Sequence, residues 1–349
     1  MKAAIYEGNQ TIRIGDCVPV DPSPDEVRIA VAYAGICGTD LHVYHGRMDH
    51  RVTMPHVMGH EMSGIVEAVG ASVTHLSVGD RVVVMPLISC NQCPACQEGH
   101  AHICQRLKFI GIETPGGFQS SVTVPADTVL PIPRALSLQL GALIEPLAVA
   151  CHDVRIGGVR SGELSVIIGG GPIGALIALV ARANGSKVLV AEINPFRLQL
   201  LEQMGIDTIN PQESDIAAHV NHLTDGAGCD LVFEVTSSAA GARLMTQLPR
   251  TRGRIVVVGI FNDPPQVDLH RIFWRELKLF GARVYEREDF EQAIAWAASG
   301  KLPLGHLVRD IYPLEMLQEG FRLMESSGGV MKILLNCADD GASSFAKEG

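Results

Sequence analysis

A thiol, an imidazole and a carboxylate stand close together early in the chain, as Cys37, His60 and Glu61. Cys37 lies in Gly35-Ile36-Cys37-Gly38-Thr39-Asp40-Leu41-His42, and the other two lie in Gly59-His60-Glu61. These are ligand types that a borderline-soft ion such as Zn²⁺ accepts. A metal would deprotonate the thiol outright, and the flanking glycines let the backbone turn tightly beside an ion. An isolated cysteine and histidine are more often a buried thiol and a loop cap. Two later stretches reverse that balance.

The first is Cys90-Asn91-Gln92-Cys93-Pro94-Ala95-Cys96, followed by Cys104, a C-x₂-C-x₂-C-x₇-C pattern. Four thiolates close a tetrahedral shell and leave no open position, so this reads as a structural site. An iron–sulfur cluster is the competing assignment, because cysteine ligation alone does not separate the two. The polar flank Glu98-Gly99-His100 points to a small surface lobe and to zinc.

The second is glycine-rich. The apolar run Ser165-Val166-Ile167-Ile168 leads into Gly169-Gly170-Gly171-Pro172-Ile173-Gly174 and then a helical stretch over 175–184. Gly169, Gly171 and Gly174 satisfy G-x-G-x-x-G in the strand–turn–helix context that a dinucleotide fingerprint needs. The helix start meets phosphate charge. A second strand, Lys187-Val188-Leu189-Val190-Ala191, ends at Glu192, whose carboxylate accepts from ribose hydroxyls and repels a 2′-phosphate. NAD is therefore expected over NADP, although Arg197 nearby could serve a phosphate.

These residues need elements to place them. From residue 1 to about 87 the chain reads as short β-strands with Gly/Pro punctuation, such as Val27–Val31 and Gly64–Gly70, with Cys37, His60 and Glu61 on its loops. The stretch 140–150 is an apolar, helix-like run with one carboxylate, Glu145. That residue either faces water at a helix start or, beside a metal, becomes a ligand. Strand-like runs at 229–235, 254–259 and 276–281, separated by helical spacers, continue the βαβ rhythm of a doubly wound parallel sheet. The helical segment 289–299 leads away, the strands near 311–314 and 330–335 return to the first module, and the small, polar tail 338–349 is expected to fray.

The chain is long enough, at 349 residues, for two domains. Its 28 basic and 38 acidic residues give a net charge of −10 with no basic run, which argues against nucleic acid or an anionic membrane surface as partner. The opening Met1-Lys2-Ala3-Ala4-Ile5-Tyr6-Glu7 is no signal peptide, and no apolar run is long enough to span a bilayer. Nine cysteines then read as metal ligands and buried thiols, the latter being Cys17, Cys151, Cys229 and Cys337, in a cytoplasmic protein. His50, His56, His75, His100, His102 and His152 show no ligand spacing and read as surface or packing residues.

In this order and combination the motifs resemble those of the zinc-dependent medium-chain dehydrogenase/reductases, over nearly the whole chain. Gly59-His60-Glu61 and Ile144-Glu145-Pro146-Leu147-Ala148-Val149-Ala150 are most similar to the polyol branch, the sorbitol and butanediol dehydrogenases. The Cys37 segment also resembles threonine 3-dehydrogenase, but the Glu-Pro-Leu context of Glu145 departs from that enzyme and favours a polyol or related secondary alcohol. The resemblance implies an α/β fold: a GroES-like, mainly β catalytic domain over 1–153, completed by 290–349, with a zinc lobe at about 88–106, and a Rossmann domain over 154–289. It implies a catalytic zinc on Cys37, His60 and Glu61, with Glu145 as a fourth, exchangeable ligand or holding a bound water. It implies a structural zinc on Cys90, Cys93, Cys96 and Cys104. NAD would meet Ile173, Glu192, Arg197 and the turn Val258-Gly259-Ile260, with Arg283 and Tyr285 as further candidates near nicotinamide and substrate. A dimer or tetramer is also implied.

The chemistry follows from the groups. A Lewis acid lowers the pKa of an alcohol, and the resulting alkoxide gives a carbonyl by losing hydride to a nicotinamide held close to it. Thr39 and His42 are placed to pass the hydroxyl proton to solvent. His45, Arg47 and the loop Met48–Met54 are candidates for lining a pocket for a polar, multi-hydroxyl substrate. A non-catalytic nucleotide-binding protein would be expected to have lost the catalytic ligands, and all are present.

Overall fold

The computed structural model describes residues 1–326 and 328–338. The expectation of a fraying tail therefore falls, after its first residue, outside the described residues. The chain divides into two compact units. One is built from Met1–Glu145, Glu286–Gly300 and the segment from Leu307 onward, and the other from Pro146–Tyr285 with Lys301–His306.

The long strand Glu26–Gly35 is the axis of the first unit. Val27, Ile29 and Val31 alternate with less buried neighbours, as a strand with one face on a core requires. It pairs antiparallel with Glu61–Val69, with Lys332–Asn336 and with Ser121–Pro125. The sheet runs in the order Val129–Pro131, Arg81–Val84, Glu61–Val69, Glu26–Gly35, Lys332–Asn336 and Val308–Pro313. The register aligns Gly35 with Glu61 on one side and with Leu334 on the other. Tyr6, Ile29, Met58, Met62, Phe118 and Phe321 fill the core. The short pair Leu87–Ile88 and Lys108–Phe109 forms the neck from which the four-cysteine lobe projects.

Two features of this unit differ from the sequence reading. The module is not all β, because Gly38–Tyr44 is a helix; Cys37 is its N-cap, and Cys37 and Asp40 form a capping box. Glu61 does not sit on a loop but opens the strand Glu61–Val69. Both departures have one cause. A seven-residue helix and a strand beginning at a charged residue leave too short a periodic signal to read.

The second unit is a six-stranded, all-parallel sheet in the order Asp207–Ile209, Lys187–Ala191, Leu164–Ile168, Cys229–Glu234, Pro249–Val257 and Lys278–Gly281. This is the doubly wound order, reversing between Leu164–Ile168 and Cys229–Glu234. The apolar strand Leu164–Ile168 is buried along its whole length, as a strand covered on both faces must be. The helix Pro172–Ala183 packs over it with Ala175 through Ala181 buried. The apolar run at 140–150 resolves into a short helix Leu138–Gly141 and a longer one, Ile144–Gly157. Cys151, Cys229 and Cys337 are buried as expected, whereas Cys17 is only half-buried, because it follows a strand at the sheet margin.

Candidate functional site

In the first unit Cys37, His60 and Glu61 converge, each offering one ligand atom within 4.8 Å of the others. His60 and Glu61 are buried and Cys37 half-buried. Three neighbours explain how the chain places them. Asp40 Oδ2 accepts from the Cys37 amide at 2.8 Å, and its Oδ1 lies 3.5 Å from His60 Nδ1. That carboxylate leaves Nε2 of His60 as the ring's ligand atom, the arrangement by which carboxylates orient metal-bound imidazoles. Gly59, at φ +96°, is wedged against Gly116 and Gly111; a Cβ on Gly111 would lie 2.6 Å from the Gly59 carbonyl oxygen. A Cβ on Gly59 itself would lie 2.6 Å from the Phe118 ring, so glycine suits both the backbone and the packing there. Phe109 closes one side, edge-on to the His60 ring at 6.0 Å.

The third neighbour is Lys332, from the strand Lys332–Asn336. Its buried ammonium donates to Glu61 Oε1 at 2.6 Å, pairs also with Oε2, and donates to the Ile36 carbonyl at 3.0 Å. Burial pulls its pKa down, but Glu61, Cys37 and Glu145 outweigh burial and hold it above lysine's ordinary value. The His60 imidazole behaves alike. Burial opposes its charging, yet Asp40 and Cys37 hold it well above the usual histidine value. Negative charge collected in a buried place, drawing protons onto its bases, is the electrostatic signature of a cation site. The donor set thus fits zinc, with three protein ligands of the number and types that catalytic zinc sites use.

Asp40 and Lys332 escaped the sequence reading. Asp40 carried a signal, standing three residues after Cys37 in capping-box spacing. Lys332 carried none, being one charge in an otherwise apolar strand.

Cys90, Cys93, Cys96 and Cys104 also come together. The Cys93 Sγ lies 3.5 Å from that of Cys96 and 3.8 Å from that of Cys104. A tetrahedron with Zn–S bonds of about 2.3 Å has edges of about 3.8 Å. The sulfurs are too far apart for disulfides and too close to embrace a multi-iron cluster. Backbone amides of Gln105 and Arg106 donate to Cys93 and Cys104, the support a thiolate needs. Hydrogen bonding from the Gln92 amide lowers the Cys90 thiol to about 6, while burial raises Cys96 to about 12. Only an ion would deprotonate all four at neutral pH.

In the second unit Gly169, Gly171, Ile173 and Gly174 form the turn into the helix Pro172–Ala183, with Gly171 as its N-cap. A Cβ on Gly174 would collide with the Gly169 carbonyl oxygen. Glu192 is buried and takes the amides of Gly170 at 2.8 Å, Ile193 at 2.7 Å and Asn194 at 2.9 Å. It therefore ties the glycine-rich turn to the next strand, the three amides leaving about one of its four acceptor sites for a hydroxyl donor. Arg197 reaches to 3.8 Å from Glu192 and borders Gly171. The amides of Val258 and Gly259 both donate to the Glu234 carbonyl at 2.9 Å, and Ile260 is exposed. Glu234, fully buried, also holds the loop after it through the amides of Thr236 and Ser237. A Cβ on Gly169 would lie 2.8 Å from Thr236, so this loop walls the glycine-rich turn. The carboxylate ending an apolar strand was its sequence signal.

The remaining candidates distribute as follows. Thr39 Oγ1 lies 3.8 Å from Cys37 Sγ. His42 is half-buried on the same helix, with Arg47 at 3.3 Å from its Nδ1. Burial first, then the charges of Arg47 and His45, hold its pKa below 6.5. Glu145 is buried in the first turn of Ile144–Gly157 and does not face open water; it lies outside the trio of converging donors. His45 pairs with Glu325, and Arg47 is exposed. Arg283 is exposed and Tyr285 fully buried.

Comparison with known proteins places both units in one family of enzymes. Residues 23–134 match the alcohol dehydrogenase GroES-like domain, and residues 172–299 the zinc-binding dehydrogenase domain. A 2-dehydro-3-deoxy-L-galactonate 5-dehydrogenase of Pseudoalteromonas atlantica is 47% identical over 97% of this chain and 99% of its own. An (R,R)-butanediol dehydrogenase of Neisseria gonorrhoeae is 33% identical over 96% of this chain and 99% of its own. Among solved structures, 2R,3R-butanediol dehydrogenase of Bacillus subtilis superposes with a TM-score of 0.88 at 31% identity, covering 96% of this chain and 99% of that one.

Proposed function

Since this chain belongs to the zinc-dependent medium-chain dehydrogenases, we propose that it oxidises a secondary hydroxyl of a sugar-derived acid or polyol to a ketone with NAD. The observation that carries this reading is the buried convergence of Cys37, His60 and Glu61. Those three residues would hold a catalytic zinc, which when bound supplies the Lewis acidity that lowers the pKa of an alcohol. Glu145, outside the trio but buried near it in charge, would take the fourth position directly or through water. Cys90, Cys93, Cys96 and Cys104 would hold a structural zinc. Gly169, Gly171, Ile173, Gly174, Glu192, Arg197, Val258, Gly259 and Ile260 would bind NAD, which supplies the hydride-accepting ring. Glu192 favours NAD over its 2′-phosphorylated form by charge.

Thr39 would accept the substrate's hydroxyl proton while passing its own towards His42, which is kept neutral by its surroundings and would hand a proton on to solvent. A sugar acid ranks first as substrate because the relative at 47% identity is named for one. His45, Arg47 and residues 48–54 would line the pocket; unchanged KM for every substrate in Arg47 variants would remove them from it.

The chain would assemble as a homodimer or tetramer. The sheet of the second unit ends in the edge strand Lys278–Gly281, with Leu279 exposed on it and Phe273 and Trp274 exposed on the preceding helix Leu269–Trp274, a pattern that pairing of two copies at this edge would cover. No helix among the described residues is long and apolar enough to cross a membrane. A chain most of whose cysteines are candidate metal ligands or buried thiols suits a reducing cytoplasm.

The test is a screen of NAD⁺ and NADP⁺ reduction over sugar acids, polyols, butanediols and threonine, with zinc per chain measured on the same preparation. NAD⁺-dependent turnover of a sugar acid or polyol with about two zincs per chain is expected. One zinc per chain, or turnover of threonine alone, would defeat the reading.

A further inference from the structure

Gly35 stands between Glu61 and the C-terminal strand, and its lack of a side chain opens a passage between them. A Cβ there would collide with Glu61 Oε2 and lie 3.1 Å from Lys332 Cε. Through this passage the Lys332 stem crosses, so that its ammonium reaches both carboxylate oxygens of Glu61. The ammonium is buried, its remaining contact is the Ile36 carbonyl, and the residue it meets is one of the three converging donors. Nothing in the packing requires a charge there, since the neighbours on this strand, Ile333, Leu334 and Leu335, are apolar and fully buried.

We propose that Lys332 is a positioning residue of the metal centre: it is the fixed counter-cation of Glu61 and competes with the metal for that carboxylate. The inference rests on the assignment of Cys37, His60 and Glu61 as zinc ligands. A buried carboxylate without a cation is costly, so Lys332 stabilises the centre when no metal is present. A second cation entering beside Glu61 is repelled by the ammonium and shares its donor. The centre consequently stays folded without metal and holds its ion less tightly than an uncompensated set of the same ligands would. The cation beside the four-cysteine lobe is of another kind: the guanidinium of Arg106 meets Cys90 from an exposed position, where solvent screens it, and is not a buried ammonium.

The experiment compares wild type, Lys332→Met and Lys332→Gln, the last retaining an N–H for Glu61 and Ile36 without the charge. Zinc is withdrawn by a competing chelator, and the more readily released of the two ions is followed. Melting temperatures are recorded with and without zinc. Both variants are expected to hold that ion on the order of tenfold more tightly, and to lose more melting temperature zinc-free than zinc-loaded. In a Glu61→Gln background the same Lys332 substitutions should strengthen zinc binding by clearly less than in wild type, because only the direct charge repulsion is left to relieve. A lysine serving structure alone would lower both melting temperatures equally and leave affinity at the wild-type value, which overturns the proposal. So would weaker binding, or equal strengthening in the Glu61→Gln background. Wild-type protein with only one zinc per chain would instead strike the ligand assignment itself.

Discussion

The two candidate metal centres of the first unit are built on opposite plans. The four-cysteine lobe draws every ligand from one short stretch, 90–104, and caps its thiolates with amides from the same loop. Cys37, His60 and Glu61 come from a helix cap, a glycine-wedged turn and a strand start, and their supports come from Asp40, Gly116 and the distant Lys332. A local site made of one ligand type saturates its ion and can only hold structure. A dispersed site with mixed ligands leaves a coordination position free and can be tuned by each neighbour separately. The first kind stabilises a fold and the second kind supports chemistry.

Breaking each centre should expose the contrast. Cys37→Ser should remove one of two zincs and lower kcat/KM on the order of 10³-fold, the scale of several kcal/mol of lost Lewis-acid stabilisation. Its melting temperature should change little; metal analysis with calorimetry checks both. Cys93→Ser should do the reverse, abolishing the lobe's ion and lowering melting temperature or soluble yield before kcat in the surviving fraction. Equal loss of activity and stability in both variants would erase the distinction.

Asp40→Asn should sharpen it, costing roughly 10- to 100-fold in zinc affinity or kcat by releasing the His60 ring, with no effect on the lobe's ion. The smallest effect concerns the proton path, which only the dispersed centre needs. In the proposed relay His42 is a base, so it would work when neutral, and its pKa is held below 6.5. Alcohol oxidation should therefore persist as pH falls through 6.5 and decline only below it. His42→Gln should lower kcat about tenfold and remove that acid limb, less than for a direct general base because water can substitute. An acid limb unchanged in the variant would take His42 out of the path.

Much of this was legible in the sequence because local chemistry dictates it. The fingerprint from Gly169 to Gly174 is legible because the turn, the helix start and the acid at Glu192 lie within one βαβ unit. The four cysteines are legible because one loop makes the whole site. The alternation in Val27–Val31 announces a strand, and the apolar run of Leu164–Ile168 a strand covered on both faces. Less visible were the seven-residue helix behind Cys37, too short for a periodic signal, and the exposure of Cys17, which depends on where the sheet ends.

What the sequence by itself determined is therefore the inventory: the ligand types, the dinucleotide turn, the parallel sheet and the closed lobe. Each is encoded by residues near one another in the chain, where spacing alone constrains geometry. Tertiary structure alone decided the working state of the dispersed centre. It set Asp40 against His60, packed Gly111 and Gly116 onto Gly59, and passed Lys332 across Gly35 to Glu61. The register of three strands brings together residues hundreds of positions apart. No local pattern records such a pairing, because its energy comes from burying opposite charges side by side, and burial exists only once the sheet has formed.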